Sequence, residues 1–267
     1  MGAGIASALA RAGLATELVE PSEELAAAGV ERARTSIASA VERRKISGEE
    51  GAAASARLRT VEGLENATAA PRVLIEAVPE RVALKREVLG AAERLRPALL
   101  ATNTSGLSID SLAAGLADPS RFLGLHFFNP VAAMALVEVV LGEHTSEPAL
   151  AAATELVAEL GKEAIVVADS PGFASSRLGI ALGLEAIRMV EAGVAAAADI
   201  DRAMVLGYRH PVGPLRLTDI VGLDVRLDIA RHMHEAYGER FAPPPLLEAM
   251  VGEGRLGKKS GRGFFEW

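Results

Sequence analysis

At 267 residues, half of them hydrophobic, the chain carries enough apolar material for one large domain or two medium ones. A formal net charge of −7 argues against a general nucleic-acid binder and against a basic membrane-surface protein. With no cysteine, disulfide frameworks and thiolate chemistry are excluded, and the composition fits a reducing cytosol.

The N-terminus MGAGIASALARAG lacks the layout of a signal peptide, and no apolar run reaches the length of a membrane span, so the chain is read as cytoplasmic. The same stretch opens a helix at Gly2. About eighteen residues later Glu20 closes the strand-like run TELVE. This order matches the back half of a dinucleotide-binding fingerprint, in which helix-end amides hold a pyrophosphate and an acidic residue accepts from the adenosine ribose. A solvated strand-end glutamate is the plainer reading of Glu20 by itself. The strand and first two glycines that should precede the pattern are missing, for which a misplaced start codon is the expected cause.

Residues 22–45 are long for a crossover and predict a projecting helix or helical pair, with Ser22 as N-cap. Further strand-like runs fall at residues 57–62, 72–78, 98–104, 122–128, 136–142 and 163–169, mostly separated by alanine-rich helical patterns. Such alternation is the signature of an α/β fold with parallel strands. The strands stop at DSPGF, which predicts a boundary between a nucleotide-binding domain, 1–169, and an all-helical domain, 170–267. Helices are expected at 173–191, 197–206, 222–237 and 246–252, with HPVGP and APPP as turns. Their apolar faces fit either a dimer interface or packing within one subunit.

Three polar features interrupt the apolar runs. In ATNTSGLSID, Asn103, Thr104 and Ser105 lie at the C-terminal edge of the expected sheet, where ligands of open α/β sheets bind, although Ser105 or Ser108 as a mere helix cap is the plainer local reading. In GLHFFNPVAAMALVEVV, His126 and Glu138 lie twelve residues apart inside strand-like runs. Buried imidazole and carboxylate groups are costly unless paired, and each is the natural partner of the other. A satisfied core histidine is one reading. A general base oriented by a carboxylate is the other. His232 and His234 fall on different helix faces, His144 follows a strand and His210 lies in a turn, so no metal site is expected.

Taken together, MGAGIA, IEAVPE with Lys85, TNTSGLSI, GLHFFNPVAAMALVEVV, DSPGF, HPVGPLRLTDIVGLD and GKKSGRGFFEW resemble the L-3-hydroxyacyl-CoA dehydrogenases, especially the bacterial 3-hydroxybutyryl-CoA type, over nearly the whole chain. The resemblance implies a Rossmann-type, mostly parallel sheet lacking its first strand, followed by a helical domain that forms a homodimer. It implies NAD as cofactor, an acyl-CoA as substrate, and no nucleic-acid or membrane partner. By resemblance His126 is the general base, Glu138 orients it, and Ser105 meets substrate and nicotinamide-side groups. Gly2, Glu20, Glu80, Lys85, Asn129 and Lys259 fall to the cofactor, while Ser36 and Arg43 fall to CoA. Arg43 on a solvated helix face is the competing reading. Where the family carries an asparagine after DSPGF, this chain has Ser176. A dehydrogenase of a free hydroxy acid or sugar acid, or an acyl-CoA-binding relative without catalysis, are the alternatives.

Overall fold

The computed structural model describes residues 1–267, which divide into two compact units, Met1–Ser170 and Pro171–Trp267. The first unit runs α1 (Gly2–Arg11), β1 (Thr16–Glu20), α2 (Glu23–Glu42), α3 (Gly48–Ala56), β2 (Leu58–Glu62), β3 (Val73–Glu76), α4 (Val82–Glu93), β4 (Leu99–Thr102), α5 (Ile109–Ala113), β5 (Phe122–Phe127), β6 (Leu136–Leu141), α6 (Glu147–Glu159) and β7 (Glu163–Ala168). Residues 22–45 hold one helix, α2, capped by Ser22 and packed on α1 and β1, and a capping box between Ser47 and Glu50 starts α3 just beyond them.

The strands form two sheets, β1-β2 in parallel and a five-stranded sheet in the order β3-β4-β5-β6-β7. All pairings in the larger sheet are parallel except β5–β6, which is antiparallel. One antiparallel pairing among parallel ones is the mostly parallel sheet expected. No helix separates residues 127 and 136, so the chain turns back on itself instead of crossing over. β1 and β3 are not hydrogen-bonded to each other. Between the sheets α1 serves two cores: Ile5 and Leu9 pack with the strands and α6, while Ala6 and Ala10 pack with β1, α2 and α3.

Strand alternation decides where the site lies. Leu123, Leu125 and Phe127 of β5, with Val137 and Val139 of β6, enter the main core. Gly124, His126 and Glu138 therefore point to the other face. A Cβ on Gly124 would stand 2.8 Å from Ile109 Cδ1 and 2.9 Å from Val140 Cβ, so glycine lets α5 close down on that face.

The second unit holds α7 (Ser175–Glu191), α8 (Ala197–Gly207), α9 (Pro214–Val221), α10 (Leu223–Tyr237) and α11 (Pro245–Gly252) around a core that includes Ile180, Leu184, Leu215, Leu227 and Met233. α9 begins inside the stretch HPVGP, expected to be only a turn. Pro214 occupies its first turn, and the buried Asp201 of α8 accepts from the amides of Leu215 at 2.8 Å and Arg216 at 2.9 Å. The cap is thus supplied from fourteen residues away in sequence.

Candidate active site

The register of the β5–β6 ladder sets His126 directly opposite Glu138. His126 Nδ1 lies 2.7 Å from Glu138 Oε2, with the carboxylate wholly buried and the imidazole nearly so. With the carboxylate ionised, Nδ1–H is the donor, which makes Nε2 the basic nitrogen. The ring also packs on Phe128 at a centroid distance of 4.4 Å, fixing its plane.

At the end of β4, Asn103 links this pair to its surroundings, since its Oδ1 accepts from the Phe127 amide at 3.0 Å. Thr104 and Ser105 follow, held by one carboxylate oxygen. Glu80 Oε1 accepts from Thr104 Oγ1 at 2.5 Å, from the Ser105 amide at 2.8 Å and from Ser105 Oγ at 3.2 Å. The capping task falls instead to Ser108, whose hydroxyl accepts from the Ser111 amide. Beside Glu80 the fully buried Lys85 forms an ion pair with Glu76 at 2.9 Å and reaches Glu80 Oε2 at 3.4 Å.

A cavity of about 190 Å³ brings Ser36 of α2 next to Asn129, with Met1, Gly4 and Val131 around them. The loop carrying Asn129 is tied down by Lys162, whose ammonium donates to the carbonyls of Val131 at 2.6 Å and Met134 at 2.5 Å. Burial, with Arg11 nearby, lowers the pKa of Lys162. Arg43 is exposed at the C-terminal end of α2. In the second unit Ser176 sits in the first turn of α7, and Lys259 is paired with Asp224 at 2.5 Å.

The first unit suits a dinucleotide. α1 begins at Gly2 with no side chain hydrogen-bonded to its first amides, where the helix dipole favours an anion, and Glu20 ends β1. No group of three histidine, cysteine or acidic side chains is gathered for a metal, and no helix is long and apolar enough to cross a membrane.

Sequence reading leaves out Glu76, Thr102 and Lys162. Glu76 carried a usable signal: a carboxylate inside the apolar run RVLIEAV, the same anomaly that marks Glu138. Lys162 gave none, because its partners are carbonyl groups of a distant loop.

Comparison with known proteins gives the family. The 3-hydroxyacyl-CoA dehydrogenase NAD-binding domain family matches residues 1–170, and the 3-hydroxyacyl-CoA dehydrogenase C-terminal domain family matches residues 172–267. The 3-hydroxybutyryl-CoA dehydrogenase of Mycobacterium tuberculosis is 44% identical over 272 residues, covering 100% of this chain and 95% of the relative. A probable 3-hydroxybutyryl-CoA dehydrogenase of Bacillus subtilis is 40% identical over 270 residues, covering 100% and 94%. Among solved structures, the (S)-3-hydroxybutyryl-CoA dehydrogenase of Ralstonia eutropha superposes with a TM-score of 0.94 at 36% identity, covering 100% of this chain and 95% of that one.

Proposed function

The chain belongs to the 3-hydroxyacyl-CoA dehydrogenase family and is an NAD-dependent oxidoreductase, and on that premise we propose that it interconverts (S)-3-hydroxybutyryl-CoA and acetoacetyl-CoA with His126 as general base. The observation that carries the catalytic assignment is the 2.7 Å contact between His126 Nδ1 and the buried Glu138 carboxylate. In oxidation, His126 Nε2 takes the proton of the C3 hydroxyl while the C3–H bond gives up its hydride and a C=O bond forms. Glu138 holds Nδ1–H, which fixes the ring orientation, and offsets the positive charge the imidazole acquires. Ser105, whose hydroxyl donates to Glu80 Oε1 here, turns it to the reacting oxygen when substrate is bound and faces the nicotinamide side of the cofactor. Bound NAD supplies the two-electron acceptor.

Gly2 and the first turn of α1 are assigned to the pyrophosphate and Glu20 to the ribose, where a carboxylate repels the extra phosphate of NADP. Glu80, Lys85, Asn129 and Lys259 complete the cofactor assignment, and Ser36 and Arg43 are assigned to CoA. Ser176 is assigned a hydrogen bond to substrate in place of the family's asparagine. The four-carbon acyl chain follows the activity for which the relatives above are named. A homodimer through the helical unit is supported by its exposed apolar side chains, among them Leu178 at 72% and Leu206 at 71% exposure. The water-soluble cofactor and CoA ester support a cytoplasmic reading.

The test is NADH formation from (S)-3-hydroxybutyryl-CoA compared with free (S)-3-hydroxybutyrate. Turnover of the thioester supports the assignment, and turnover of the free acid alone overturns it.

A further inference from the structure

Glu76 has no task in the mechanism above, yet its side chain is fully buried against that of Lys85. Oε1 lies 2.9 Å from Lys85 Nζ and accepts the Val78 amide at 2.6 Å. Oε2 accepts the Thr102 hydroxyl at 2.7 Å and lies 3.1 Å from Nζ. The same ammonium is 3.3 Å from the carbonyl of Val78 and 3.5 Å from that of Asn103, and pairs with Glu80 at 3.4 Å. Glu80 in turn holds Thr104 and Ser105. One cation therefore serves two carboxylates. Its contacts join the end of β3, the turn carrying Glu80 and the end of β4.

An arrangement of this kind is a poor way to gain stability, because desolvating the ions costs about as much as their attraction returns, and a well-packed apolar pair would hold the sheet as firmly. What it does provide is direction. The Glu76 carboxylate fixes both the Lys85 ammonium and the Val78 amide, so the turn that delivers Glu80 starts from a set position. We propose that Glu76 is a positioning residue for the cofactor side of the site, acting through Lys85 and Glu80 on Ser105. This rests on the assignment of Glu80, Lys85 and Ser105 made above. With Glu76 neutralised, Lys85 has Glu80 as its one remaining paired carboxylate, and the stronger pull draws Glu80 away from the Ser105 amide and hydroxyl.

The experiment compares wild type, Glu76→Gln and Thr102→Val by NADH fluorescence titration, by urea unfolding, and by KM for acetoacetyl-CoA. For folded Glu76→Gln the expected result is an NADH Kd raised about tenfold or more, the scale of one lost charge-assisted contact, with the KM for acetoacetyl-CoA changed far less. Thr102→Val removes one hydrogen bond from the carboxylate without stranding a charge, so it folds where the glutamine variant fails, and its NADH Kd is expected to rise about threefold. Should Glu76→Gln not fold, the Thr102→Val titration decides. Folded variants that bind NADH as wild type does, whatever their unfolding midpoints, overturn the proposal and leave the pair purely structural. Wild-type protein that binds no NADH instead overturns the function assigned above, a result separable from this one.

Discussion

His126 and Glu138 face each other across the antiparallel β5–β6 ladder, the imidazole Nδ1 2.7 Å from the carboxylate Oε2. Two groups that are each costly to bury become a compensated pair because strand register leaves them opposite one another. A carboxylate on Nδ1 is the arrangement expected of a histidine that works as a base through Nε2.

Glu138→Gln keeps the shape of the side chain and removes its charge. We expect kcat to fall and its pH profile to change, because the imidazolium formed in turnover loses the anion that offsets its charge. Steady-state rates across pH check this. A variant with wild-type kcat and an unmoved profile would make the contact structural only.

Glu20→Ala addresses cofactor choice. Wild type is expected to prefer NAD to NADP, and the substitution to narrow that preference, by weakening ribose recognition and lifting repulsion of the added phosphate. The ratio of kcat/KM values for the two cofactors measures it. Equal use of both by wild type contradicts the assignment.

Ser176 stands where the family resemblance implies an asparagine. Ser176→Ala should lower kcat/KM about tenfold, the effect of losing a polar contact with a cost of ~1–3 kcal/mol, while Ser176→Asn is tolerated. A neutral alanine variant paired with an impaired asparagine variant shows instead that the pocket is built around the smaller side chain.

Asp201 supplies a test of the helical unit. Removing a buried acceptor of two backbone amides should make Asp201→Ala less stable by ~1–3 kcal/mol in urea unfolding. Burial holds the Asp201 pKa above its usual value. The folded state thus keeps this proton longer than the unfolded state, and the residue's contribution declines as pH rises from the usual carboxylate range through the folded pKa. The difference between wild type and variant is accordingly larger at the acid end of that window. A difference that grows with rising pH contradicts this sign.

The sheet and the His126–Glu138 pair were legible because they are local signals: strand-like runs between helical patterns, and lone polar residues inside two of those runs. The start of α9 was not, because Pro214 reads equally as a turn residue and as a first-turn proline, and its cap, Asp201, lies on another helix. The reversal at β5–β6 was carried by an absence, the lack of a helical segment between the two runs, which an expectation of repeated crossovers passes over. Glu76 needed its partners in view. Its place inside the apolar run RVLIEAV marks it as an anomaly, but its task shows only once Lys85, Thr102 and the Val78 amide are seen to converge on it.

The most direct measurement of the central claim is the rate of NADH formation by wild type and His126→Ala with the separate (S) and (R) enantiomers of 3-hydroxybutyryl-CoA. Wild type is expected to oxidise the (S) form, and His126→Ala, still folded, to do so about two orders of magnitude more slowly or worse, the usual contribution of a positioned base. A folded His126→Ala variant within a few-fold of wild type, or a wild type that oxidises the (R) form in preference, would contradict it.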